Sequence, residues 1–127
     1  MTNMLRPLIA IDLNSKIDYL KLHKFVEKLL KKFKVVDAVF IIDDKSILEI
    51  DSNKVFKVSD SYSLVEVVKE LRGISEHRGN LDLRSLVKLK EELKRSVVVL
   101  VSDRKAKASD SLFFVFDGQR IRTLSGN

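Results

Sequence analysis

Four aspartates in this chain stand where an apolar run ends, and that placement carries the clearest hint of chemistry. Asp12 follows the run 8–11, Asp103 follows the run 96–101 after one serine, and Asp43 with Asp44 closes the run 35–42. If those runs are neighbouring parallel strands, the carboxylates gather along one edge of a sheet. Like charges so close require a cation between them, either Mg²⁺ or a protein amine, or else raised pKa values. An aspartate after a strand also starts turns and caps helices. Each acid alone therefore has a structural explanation, and only their convergence points to a site.

Other chemistries find little support. The chain has no cysteine, which removes disulfides, thiolate nucleophiles and cysteine-type zinc sites together. His23 falls among lysines in a helical pattern and reads as a surface residue, and His77 lies in the polar loop 74–80. Ser15 and Ser102 lack the glycine-flanked elbow of a nucleophilic serine. Gly79 stands alone in its loop, and no glycine-rich phosphate-binding pattern occurs. No residue is assigned a catalytic role.

The 127 residues suffice for one domain, 1–127, and 45% apolar content allows it a core without staples. No apolar stretch is long enough to span a membrane, and Asp12 breaks the first apolar run too early for a signal peptide. A cytoplasmic location is expected. Twenty-four Lys and Arg against eighteen Asp and Glu give a net charge of +6, which favours acidic partners modestly. Abundant Lys, Ile and Val with a single Gln leans towards a thermophile's composition.

The elements that must position the acids are readable from periodicity. The run 8–12 reads as a buried strand. Residues 17–34 carry Leu22, Phe25, Val26, Leu29, Leu30 and Phe33 at helical spacing, with Lys21, Lys24, Lys28 and Lys31 in a ridge opposite. Residues 35–42 read as a second buried strand. After a short break 46–50 is expected to return antiparallel to it, and 53–58 to extend that strand or add an edge. Ser63 and Glu66 have the spacing of a capping box opening a helix that stops at Gly73. A third helix is expected from Asp82 to about Lys94, then a central strand at 96–101 and further strands at 112–116 and 120–124. Asp117-Gly118 has the form of a two-residue hairpin turn. The connection 104–111 is too short for a crossover helix, which suggests that the last strands run antiparallel to 96–101. The fold class is α/β: a three-layer, Rossmann-like sandwich with a mainly parallel central sheet and an antiparallel hairpin edge.

These motifs resemble the von Willebrand factor A domain family over nearly the whole chain. The family opens with a buried strand into D-x-S-x-S, a long helix and a β-hairpin. A short helix, a G-G-x-T-[ND]-[LI] loop, another helix and an apolar strand into T-D-G follow. Here IAIDLNSK matches the first motif, RGNLDLRSL the loop and VVVLVSDRK the last. The resemblance implies a Mg²⁺ or Mn²⁺ site using Asp12, Asn14 and Asp103, in a degenerate form of the family's metal-ion-dependent adhesion motif. Lys16 stands for a serine, Leu81 for the threonine and Arg104 for the glycine. These departures favour no cofactor, with the Lys16 ammonium neutralising Asp12 and Asp103 in the metal's place. The implied function is a non-catalytic protein-interaction or assembly module. Its contact face comprises Asp12, Asn14, Lys16, Asp43, Gly79, Asp82 and Asp103, and its partner is another protein. The rival is a metal-dependent ribonuclease resembling PIN domains, using Asp12, Glu66 or Glu70, Asp103 and Asp110. The lysine ridge of the first helix, extended by Lys32 and Lys34, offers a basic surface for nucleic acid, though amphipathicity alone also explains it, and Arg120 and Arg122 share one face of the last strand, where positive charge also discourages edge-to-edge pairing.

Overall fold

A computed structural model describes residues 7–43, 46–72, 79–106 and 113–124. Its order is β1 (Leu8–Asp12), α1 (Tyr19–Phe33), β2 (Val36–Ile41), β3 (Phe56–Val58), α2 (Ser61–Leu71), α3 (Arg84–Glu92), β4 (Val98–Val101), β5 (Phe113–Phe116) and β6 (Ile121–Leu124). Among the described residues, no helix is long and apolar enough to cross a membrane.

Every residue of β1, β2 and β4 is buried, as the continuously apolar runs require of strands covered on both faces. The six strands form one sheet in the order β3-β2-β1-β4-β5-β6. β2, β1, β4 and β5 run parallel, and β3 and β6 are antiparallel edges. Strand alternation then divides the core. Ile9, Ile11, Ala38, Phe40, Val99 and Val101 face α1 and α2, and Phe25 of α1 stacks on Phe116 with ring centroids 4.4 Å apart. Leu8, Ala10, Val39, Val98 and Leu100 face the other way, against Leu86 and Leu89 of α3. The result is the three-layer α/β sandwich expected from the sequence.

Three expectations need correction. β5 pairs parallel to β4, not antiparallel. In the described part of the link, Ala106 bridges parallel to Leu81 and the Leu81 N–H donates to the Lys105 carbonyl. The link between β5 and β6 is not a two-residue turn, because Phe116 pairs with Ile121. The Asp117 carboxylate accepts from the Gln119 and Arg120 amides and closes the longer turn. The helix α2 is opened by Asp60, whose carboxylate accepts from the Ser63 amide and hydroxyl, while Glu66 instead lies 3.5 Å from Lys69. The proposed stop at Gly73 lies outside the described residues, and α2 ends with Arg72 as its cap.

After β2 the chain does turn back antiparallel, first through the bridge between Ile41 and Ile47 and then through β3. Between them Ile50 and Asn53 exchange both backbone hydrogen bonds around Asp51 and Ser52, whose φ values are 52° and 67°. This is the two-residue primed turn whose right-handed twist suits a hairpin, built without the glycine it favours. A left-handed conformation in a non-glycine residue costs on the order of 1 kcal/mol. Ser52→Gly is therefore expected to raise stability by about 0.5–1 kcal/mol, read from the urea midpoint at unchanged slope.

The cap at Asp60 supplies a pH signature. The Ser63 hydroxyl and amide hold its carboxyl below the ordinary value of 3.8. Its contribution to folding is complete above that ordinary value and is lost as the pH falls through the lowered one. Urea midpoints of the wild type and of Asp60→Ala should differ near neutrality and converge on acidification below pH 3.8.

Candidate functional site

Asp12 is the last residue of β1, and by alternation its side chain shares the α3 face with Leu8 and Ala10. Ile11 is paired with Val101 of β4, so Asp12 lies beside Ser102 immediately past that strand. Counting on by twos from Val98 and Leu100, Ser102 and Arg104 fall on the same face. The three side chains meet there. Asp12 Oδ2 accepts from Ser102 Oγ at 2.7 Å and from Arg104 Nε at 2.7 Å, and Oδ1 accepts from Arg104 Nη2 at 2.9 Å. The Asn14 amide donates to Oδ1 as well, at 3.0 Å. Both carboxylate oxygens are thus used, in the two-pronged pairing that a planar guanidinium favours. Asp12 is fully buried and Arg104 nearly so.

The same knot ties four strand ends together. Arg104 Nη1 donates to the Gly79 carbonyl at 2.9 Å, fixing the start of the 79–83 loop. Asn14 Nδ2 donates to the Ile42 carbonyl beyond β2, and the Ser102 amide donates to the Phe116 carbonyl at the end of β5. Ser15 Oγ accepts from the Asp103 and Ile17 amides at 3.2 Å. Asp103 Oδ2 in turn accepts from the Lys16 amide at 3.3 Å.

The residues picked out by sequence therefore share one rim, in two layers. Asp12 and Asn14 are buried beneath it and support it, so they do not form a contact face themselves. Lys16, Gly79 and Asp103 are exposed, with Asp43 and Asp82 partly so. Asp43 accepts from the Ser46 amide, and Asp82 accepts from the Arg84 amide and guanidinium at the entrance to α3. Asp44 lies outside the described residues. Leu81, at the position where the resemblance places a ligating threonine, is buried in the core with Leu83.

One expectation is overturned here: the cation on Asp12 is Arg104, not Lys16. Lys16 meets Asp103 only through its backbone amide, and its side chain is directed into solvent. Lys16 follows a strand end whose neighbouring residues Ser15 and Ile17 are buried, and its own side chain takes the exposed side of that loop. Arg104 instead lies on the inward parity of β4 with a stem long enough to reach back under the rim.

Of the carboxylates proposed for a nuclease, Glu66 and Glu70 lie away from Asp12, exposed on α2, which covers the opposite face of the sheet, and Asp110 lies outside the described residues. Among the described residues no group of three or more Asp, Glu or His is placed to hold a metal ion. His23, read as a surface residue, is half-buried between α1 and α2, with Nδ1 2.8 Å from Ser61 Oγ and Tyr62 against its ring. His77 lies outside the described residues.

A second buried ion pair escaped the sequence reading. Asp37, inside the apolar strand β2, faces the α3 side and is paired with Arg95, which precedes β4. A lone aspartate at an inward position of an all-apolar strand signals a buried cation elsewhere. Comparison with protein-family models, with curated proteins and with solved structures finds no match for this chain.

The knot makes a measurable claim on stability. Removing one member of a buried pair strands the other charge and costs about 3–5 kcal/mol. Asp12→Ala and Arg104→Met are each expected to lose that much in urea titrations. The double variant is expected to lose at least about 1 kcal/mol less than the sum, since no charge is left behind.

Proposed function

We propose that the chain is a non-catalytic protein-interaction or assembly module of the von Willebrand A type, in which the Arg104 guanidinium takes the place of the family's divalent ion. The observation that carries this reading is the two-pronged pairing of Arg104 with Asp12 under the strand-end rim. A hard cation needs several oxygens at about 2.0–2.6 Å. The oxygens of Asp12 are already occupied by positively charged donors, and the threonine position carries the apolar Leu81. The donor set does not fit Mg²⁺ or Mn²⁺.

The order of elements supports the family reading. A buried strand runs into Asp12-Leu13-Asn14, then come a long helix and an antiparallel return beside β2. A short helix follows, and the 79–83 loop leads into a further helix before an apolar strand ends at Asp103. In a parallel sheet the crevice for ligands lies beyond the strand carboxyl ends where strand order reverses, here between β1 and β4. Arg104 fills that crevice. What is left for a partner is the rim above it, with Lys16, Asp43, Gly79, Asp82 and Asp103 presenting both signs of charge. Such a surface suits polar docking of another protein.

Metal titration followed by melting tests the substitution. The wild type is expected to show no Mn²⁺-dependent rise in Tm, whereas the double variant Leu81→Thr/Arg104→Gly, which restores two of the family's residues, is expected to gain one. Saturable Mn²⁺ binding by the wild type that disappears in Asp12→Ala would overturn the reading. Mn²⁺-dependent cleavage of labelled RNA abolished by Asp103→Asn would replace it with the nuclease.

A further inference from the structure

The outward face of α1 is a distinct feature of the surface, independent of the strand-end rim. Lys21, Lys24, Lys28 and Lys31 are all exposed and follow one stripe about 15 Å long, with Lys32 and Lys34 beside its end. None of the ion pairs among the described residues uses any of these six lysines. The only acid on the helix, Glu27, is turned towards His23, with 4.0 Å between Oε2 and Nε2.

Amphipathicity explains why this face is polar but not why it is all of one sign. Like charges three and four apart destabilise a helix by about 0.2–0.5 kcal/mol per pair, and alternating Glu with Lys would reverse that sign. The macrodipole accounts for Lys31 and Lys32 in the last turn. It opposes Lys21 and Lys24, which lie near the positive end, where the capping Asp18 is the only acid. A surface selected for helix stability alone would not be built this way.

We propose that this lysine stripe is a docking surface for the phosphate backbone of a nucleic acid duplex. A duplex presents about one negative charge per 1.7 Å of axis, so the stripe meets a phosphate for each of its ammonium groups. Lysine is depleted from protein interfaces, which need an apolar centre. The only large exposed apolar side chain on α1 is Leu20, so an acidic protein is the poorer occupant. Among the described residues the one ring beside these lysines is the half-buried Phe33, next to Lys32, which is no row of aromatics for unpaired bases to stack on and favours a duplex over a single strand. The stripe also continues past the helix. The Lys21 stem lies against the turn after β5, where a Cβ added at Gly118 would be 3.9 Å from Lys21 Cδ, and that turn carries the exposed Arg120.

Fluorescence anisotropy of a labelled 20-base-pair DNA duplex, titrated at several salt concentrations, tests the proposal. The wild type is expected to give a slope of log K against log salt of about −3.6, which is 0.9 for each of four lysines. Lys24→Gln/Lys28→Gln should cut that slope to about −1.8 and weaken binding roughly tenfold or more at low salt. This variant loses repulsion and is expected to melt no lower than the wild type, so lost binding will not reflect lost folding. Lys57→Gln/Lys88→Gln, which removes the same charge from exposed sites on β3 and α3, should leave both values nearly unchanged. No duplex binding at low salt overturns the proposal, as does equal weakening by the control variant. Poly-glutamate competing as well as unlabelled duplex also overturns it and assigns the stripe to an acidic protein.

Discussion

The ion pair between Asp12 and Arg104 is the constraint on which the strand-end half of the molecule depends. A carboxylate at the end of the central strand of a parallel sheet is stripped of water on every side. Its desolvation costs several kcal/mol unless charge and hydrogen bonds replace the solvent. Here a guanidinium, a hydroxyl and a backbone amide supply them, and no oxygen of Asp12 is left to bargain with. Each of those donors belongs to a segment that must then stay in place. The loop after β1 is held through Asn14, the loop after β4 through Ser102 and Arg104, and the loop before α3 through the Gly79 carbonyl.

The second buried pair extends the same logic to β4 as a whole. Arg95 comes just before the strand and reaches Asp37 on β2, whereas Arg104 comes just after it and reaches Asp12 on β1. Both aspartates face α3. Side chains alternate along a strand, so a slip of β4 by one residue would carry Ser102 and Arg104 to the opposite face and leave Asp12 uncompensated. Apolar strands such as Val98–Val101 are nearly indifferent to register, because valine fits either face. The two pairs distinguish one register where hydrophobicity does not.

Much of this architecture was legible in the residues, and the failures share a cause. α1 and the buried strands β1, β2 and β4 follow from periodicity and from burial on both faces, which are local properties of the chain. Asp12, Asp43 and Asp103 were placed at one rim because parallel topology alone brings strand ends together. What escaped was pairing across the fold. Lys16 stands out as the cation because it replaces a motif serine while Leu81 replaces the threonine, and Arg104 is the second positive charge at the site. Parity decides between them, and parity past the last residue of a strand becomes visible only once the strand's end is known. The parallel course of β5 escaped for a related reason. The start of that crossover is held by a bridge between Leu81 and Ala106, which depends on where the 79–83 loop runs.

The two surfaces of the molecule follow opposite electrostatic rules, and this bears on what each can do. At the strand-end rim two acids are matched by bases, Asp12 by Arg104 and Asp82 by Arg84, while Asp103 accepts from the neutral Lys16 amide. A matched surface projects little field into solvent and discriminates partners at contact range, through geometry. Along the lysine stripe of α1 the charges are of one sign, so their field adds, extends to about a Debye length of 8–10 Å and weakens with salt. The net charge of +6 is therefore not a uniform property of the chain. Partners drawn by the lysine stripe would be attracted from a distance with little selectivity, while those at the rim would be selected only on arrival. On the proposed reading, pairing Asp12 with Arg104 also removes a buried negative charge that would have opposed the approach of a polyanion to the lysine stripe.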